Sequence, residues 1–89
     1  MKFGRALEKL HYGRKVVRSG WNGKGMFLFL APSGWEFTCD IEGLDDLQTE
    51  PFICMKTAQN TLIPWLASQA DLLASDWMVI EEEGEAHHE

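Results

Sequence analysis

Histidine, cysteine and long apolar runs are all scarce in this chain of 89 residues. No apolar stretch approaches the roughly 20 residues that a membrane-spanning helix needs. The opening MKFGRALEKL is charged and periodic, unlike a secretory leader, so a soluble, cytoplasmic protein is expected. The two cysteines, Cys39 and Cys54, lack the spacing of a zinc or redox motif and sit in apolar runs, which suits buried free thiols. Only His11 lies outside the tail EEEGEAHHE, and no nucleophile is paired with a base. Neither a phosphate-binding loop with its Lys-Ser or Lys-Thr ending nor a dinucleotide fingerprint is present. No metal or cofactor is therefore expected, and no catalytic pair stands out. No repeat or linker divides the chain, and a domain this small has a thin core that self-association would help.

Basic residues are also missing from most of the chain. The formal net charge is −6, yet residues 1–30 carry +6 and the remainder −12, with Lys56 the one later cation. A chain so acidic is a poor partner for a long polyanion, which is held mainly by many cationic contacts to phosphate. A local basic patch can still meet one or two phosphates, and solvated lysines on a helix face and a hairpin explain the same charges.

What the chain does have is concentrated in PWLASQADLLASDW, from Pro64 to Trp77. Ser68 followed three residues later by Asp71 fits a capping box, predicting a short helix from about Gln69 with Leu72 and Leu73 on its apolar side. Ser75 and Asp76 end it, and Trp77 to Ile80 opens a strand. A capped helix start offers N–H donors and partial positive charge to a phosphate or carboxylate, and a neighbouring indole offers a flat face.

Upstream, Phe3, Ala6, Leu7 and Leu10 form the stripe of an amphipathic helix, which Gly13 is placed to end. His11 suits the helix C-terminus as a favourable charge. Lys15 to Arg18 and Met26 to Ala31 read as strands flanking Trp21, Asn22 and Lys24, with Asn22-Gly23 as the hairpin turn. Trp21 must cover something, whether core, another subunit or a ligand. Trp35 to Ile41 alternates like a third strand, Glu42 to Pro51 is an acidic loop, and Phe52 to Thr57 and Thr61 to Ile63 are further strands around a Gln59-Asn60 turn. The expected fold is α+β: an N-terminal helix, then a small antiparallel sheet of about five to six strands with a second short helix before the last. Residues 1–80 form a single domain in this reading, and 81–89 a disordered acidic tail.

The blocks VRSGWNGKGMFLFL and MKTAQNTLIPWLASQADLLASDWMV resemble the phage-encoded Thoeris anti-defence family of the second type, small proteins first catalogued as a domain of unknown function. The resemblance runs from FGRALEKLHYGRKV to Val79. The chain departs from the family's common form in its short Glu42 to Pro51 connection and in Gln59-Asn60 where Asp-Gly is usual.

That resemblance implies a sponge rather than an enzyme: a protein that binds cyclic ADP-ribose-type immune messengers unaltered, with some members also taking cyclic dinucleotides. It further implies homo-oligomers, typically tetramers built from dimers, with pockets where subunits meet. On this chain Trp21 and Trp65 would stack on a base, worth about 1–3 kcal/mol each. Arg18 and Lys24 would meet phosphate. Asn22, Ser68, Gln69 and Asp71 would read hydroxyls or a base edge, although Asp71 has a second explanation as the capping partner of Ser68. Trp77 is assigned to the core, and Met26, Phe27 and Phe29 to sheet packing, with room for one or two of them at a pocket rim. Cleavage of the messenger, with Asp71 or Asp76 as acid or base, is the competing enzyme reading. A module that blocks a host protein through exposed aromatics and the acidic tail is the third.

Overall fold

A computed structural model describes residues 1–21, 25–32, 41–44 and 47–81. The elements run α1 (Phe3–His11), β1 (Lys15–Arg18), β2 (Phe27–Ala31), β3 (Phe52–Lys56), β4 (Leu62–Pro64), α2 (Gln69–Leu73) and β5 (Trp77–Ile80). The α+β architecture follows the expectation: a helix, a five-stranded antiparallel sheet, and a short helix before the last strand. The candidate strand from Trp35 to Ile41 and the Asn22-Gly23 turn lie mainly or wholly outside the described residues.

Helix α1 forms where its apolar stripe meets the sheet. Ala6 and Leu10 are fully buried, and Phe3 and Leu7 pack beside them. Its end is built as the glycine implied. Gly13 sits at φ 84°, its N–H donates to the Leu10 carbonyl at 3.0 Å, and the Arg14 N–H donates to the Lys9 carbonyl at 3.0 Å. These two bonds are the paired closures of a Schellman motif, which needs the left-handed conformation that glycine adopts without strain.

The sheet order is β4-β3-β2-β1-β5. Strands β1 to β4 meander, because each is joined to the next by a connection that lets neighbours pair antiparallel. The chain then leaves the β4 edge, passes through α2 and returns as β5 on the far side of β1. Register sorts the faces. Val16 pairs with Leu28 and Val79, Leu28 with Met55, Met55 with Ile63, and Leu30 with Ile53. Paired residues point the same way, so these side chains share one face; α1 lies over its β5, β1 and β2 part, where Val16 and Leu28 are fully buried, whereas Ile63 on β4 stays exposed. The opposite face carries Phe27 and Phe29, with Lys15 Nζ 4.9 Å and Lys56 Nζ 5.8 Å from the centre of the Phe27 ring. Phe27 and Phe29 therefore pack on the sheet, as expected, and Cys54 is a buried free thiol on β3.

One detail differs from the sequence reading. Strand β4 continues through Pro64 instead of stopping before it, which an edge strand tolerates because the missing N–H faces no partner. The apolar side that Leu72 and Leu73 give α2 is left uncovered, a point the sequence does not settle: they are 47% and 81% exposed, and no residue of α2 is buried. A helix of five residues turns barely more than once, and this one is anchored by polar groups instead. Among the described residues no helix is long and apolar enough to cross a membrane.

Gly13→Ala is expected to lower stability by about 1–2 kcal/mol, the cost of forcing an L side chain into the left-handed region. Nothing within 4 Å would collide with the new methyl, so the loss reports backbone strain alone. Urea unfolding followed by circular dichroism measures it.

Candidate functional site

The region where α2, the end of β1 and the start of β5 meet gathers most of the residues singled out from the sequence. Its centre is Trp77, which is 2% exposed. The Trp21 and Trp65 rings each stand nearly edge-on to it, with centroids 5.4 and 5.9 Å away and interplanar angles of 79° and 87°. Phe3 of α1 touches both Trp65 and Trp77, at 5.9 and 5.3 Å. Edge-to-face pairs at these distances let the positive ring edge meet a negative face, adding to plain burial. Trp21 and Trp65 remain half-buried. They share one support, Trp77, and each keeps some surface open.

Trp77 also needs a partner for its indole N–H, and finds one in the Asp71 carbonyl at 2.9 Å. That bond occupies a carbonyl near the α2 C-terminus and fastens the short helix to the core. The other end of α2 is closed by the capping box. The Asp71 N–H donates to Ser68 Oγ at 3.1 Å, while Asp71 Oδ2 accepts from the Ser68 N–H at 3.1 Å and from its hydroxyl at 2.9 Å. The predicted helix start is thus present in both halves.

Asp71 does more than cap. Its Oδ1 accepts a 2.9 Å bond from Arg18 Nη1, and Asp76 Oδ1 accepts a 2.8 Å bond from Arg18 Nε. The guanidinium at the end of β1 therefore bridges the start of α2 and the residue before β5. Asp76 Oδ2 reaches the next two residues along the chain, accepting from Ser19 Oγ at 3.3 Å and from the Gly20 N–H at 3.2 Å. The Ser19 N–H donates to the Asp76 carbonyl at 3.0 Å, and a 3.2 Å bond from the Trp21 N–H to the Arg18 carbonyl closes the turn.

The ionisation of these groups follows from the contacts. Hydrogen bonds from Arg18 hold the Asp76 carboxyl below its ordinary range, with the Gly20 N–H adding to them. For Asp71, burial pushes the carboxyl up, but the Ser68 N–H, Arg18 and the Ser68 hydroxyl outweigh it and the net shift is downward. Arg18 is raised above its already high value, chiefly by hydrogen bonds to Asp76 and then Asp71. One cation between two carboxylates leaves the group with a formal charge of −1. An incoming phosphate at Arg18 thus meets opposing charge as well as attraction.

The structure brings Arg18, Trp21, Trp65, Ser68 and Asp71 into one neighbourhood. Gln69 begins α2 with an exposed side chain. Asn22 and Lys24 lie outside the described residues. Trp77 is core, as expected. The residue that sequence reasoning underrated is Asp76, read only as a helix stop or an acid in the enzyme alternative. Its signal was positional: it precedes the strand whose first residue pairs with Arg18. That pairing is not visible until β5 is placed beside β1. Among the described residues, no group of three or more His, Cys, Asp or Glu side chains is arranged to hold a metal ion.

A family model described as the Thoeris anti-defense 2-like domain matches residues 1–80. The chain belongs to the Thoeris anti-defense 2-like family. It is also similar to the protein named Thoeris anti-defense 2 of Bacillus phage SP01, with 45% identity over 84 residues, covering 90% of this chain and 94% of the relative. The family match spans every element from α1 to β5, including both blocks that carried the resemblance.

The depressed carboxyls set an acid limit on stability. Because Asp76 and Asp71 titrate lower in the folded chain than the ordinary value of about 3.9, their contribution is complete above that pH. It is lost as pH falls through their folded values. In thermal melts followed by circular dichroism, Arg18→Gln should therefore melt below the wild type at pH 7, and the gap should narrow as pH falls below about 4.

Proposed function

We propose that this protein serves phage anti-defence by binding cyclic ADP-ribose-type immune signalling nucleotides and sequestering them without degradation, so that the Thoeris effector is not activated. The observation that carries this reading is the pair of half-buried indoles, Trp21 and Trp65, supported edge-on by one buried Trp77 in a chain of this family. A cyclic nucleotide presents a base to stack, hydroxyls that need acceptors and phosphates that need donors. Trp21 and Trp65 would supply stacking at about 1–3 kcal/mol per base. Asn22, Ser68, Gln69 and Asp71 would read hydroxyls or a base edge. Lys24 and Arg18 would face phosphate, with the Arg18 fork oriented by its two carboxylates.

In this proposal residues 1–80 are one ligand-binding domain that acts in the host bacterial cytosol as a homo-oligomer, a tetramer assembled from dimers. Cyclic dinucleotides are a second ligand class in the same reading. Self-association is supported by large apolar side chains on the surface of the single chain, led by Leu66 at 91% and Leu73 at 81% exposed.

Trp21→Ala and Trp65→Ala should each abolish nucleotide retention in calorimetry while leaving the oligomer intact by native mass spectrometry. Normal binding by both variants would place the site elsewhere. Incubating the wild type with nucleotide, heating it and chromatographing the supernatant should return the nucleotide intact. Recovery of a cleaved product would make the protein an enzyme instead.

A further inference from the structure

We propose that Asp76 is the positioning residue of the nucleotide site: it touches no ligand, but it holds the turn that presents Trp21 and the guanidinium of Arg18. This inference rests on the binding function proposed above and extends it to a residue assigned no part in recognition.

The geometry of Asp76 is unusual for a surface carboxylate. Its two oxygens divide their work, Oδ1 taking Arg18 Nε at 2.8 Å and Oδ2 taking Ser19 Oγ and the Gly20 N–H at 3.3 and 3.2 Å. Its own carbonyl accepts the Ser19 N–H at 3.0 Å. Four bonds thus run from one residue to three consecutive residues, Arg18, Ser19 and Gly20, directly before Trp21. The backbone comes close at this point, since a methyl on Gly20 would stand 3.3 Å from Asp76 Oδ2.

Beyond Arg18, strand β1 ends and its pairing with β5 ends at Arg18 and Trp77. Without the Asp76 carboxylate, the route of residues 19–21 would rest on the Ser19 N–H bond to the Asp76 carbonyl, on the Trp21 ring against Trp77 and on one turn bond. An ordered indole loses less freedom when a base stacks on it, and an oriented guanidinium loses less on meeting an anion, so the carboxylate raises affinity by preorganisation. Asp71 does not replace it, because its second oxygen is committed to Ser68.

Asp76→Asn preserves the shape and one carbonyl oxygen but removes the charge that orients Arg18. The test compares wild type and D76N, as full chains at pH 7, by calorimetry with a cyclic ADP-ribose-type nucleotide. The heteronuclear NOE of the Trp21 and Trp65 indole N–H groups is measured without ligand. D76N should bind about tenfold or more weakly, the size of effect expected for losing a charge-assisted hydrogen bond. Its Trp21 indole should become less ordered while that of Trp65 does not change. Affinity within about twofold of wild type would overturn the inference, as would weaker binding with an unaltered Trp21 NOE. Should D76N fail to fold, Ser19→Ala removes one of the four bonds and leaves the Arg18 pairs in place. It should then reduce affinity a few fold with the same loss of order at Trp21, and no loss in either would also overturn the inference. If the wild type itself binds no nucleotide, the functional reading fails separately, and the NOE alone decides whether Asp76 holds the turn.

Discussion

Burial of Trp77 is the constraint on which this small fold depends. A domain of this size has few residues to enclose, and this one ring brings helix, sheet and crossover to a common point. Truncating a buried Trp typically costs about 3–5 kcal/mol, a large share of the total stability of a domain of this length. The ring can sit there only because its N–H is satisfied, and the acceptor is the Asp71 carbonyl of α2. Hydrophobic burial and helix placement are thereby one event. The short helix, which buries no side chain of its own, is held where an indole needs an acceptor.

Around that apolar centre lies a polar clasp with a different role. Arg18, Asp71 and Asp76 retain 23%, 15% and 31% side-chain exposure, so water screens part of the attraction and the pairs add only modestly to net stability by charge alone. Their value is directional. A guanidinium fork held at Nε and Nη1 by two carboxylates has little freedom left, and each carboxylate is in turn fixed by neighbouring hydroxyls and backbone N–H groups. The clasp joins three parts of the chain, the end of β1, the start of α2 and the residue before β5. Apolar packing decides that the elements assemble, and the clasp decides their relative attitude at the site.

Local signals in the sequence are legible because they act over a few residues. The 3,4 spacing of Phe3, Ala6, Leu7 and Leu10 described the buried stripe of α1, and Gly13 marked its end. Ser68 and Asp71 marked the start of α2. Local spacing does not say whether the apolar side of Leu72 and Leu73 is covered, and in a helix this short both stay exposed. It also ends β4 one residue early, because a proline weighs against a central strand and only the sheet order shows β4 to be an edge among the described residues.

By itself the sequence determined the described helices and strands, the class of fold and the presence of two informative blocks, since periodicity, capping and turn chemistry are written in neighbouring residues. Only the tertiary structure decided that β5 returns beside β1, and with it that Arg18 meets Asp71 and Asp76 across separations of 53 and 58 residues. It likewise decided that Trp21 and Trp65 converge on Trp77. Periodicity reveals which face of a strand is buried but not which strand lies alongside. A charge or an indole carries no record of its partner until the chain has closed the loop between them.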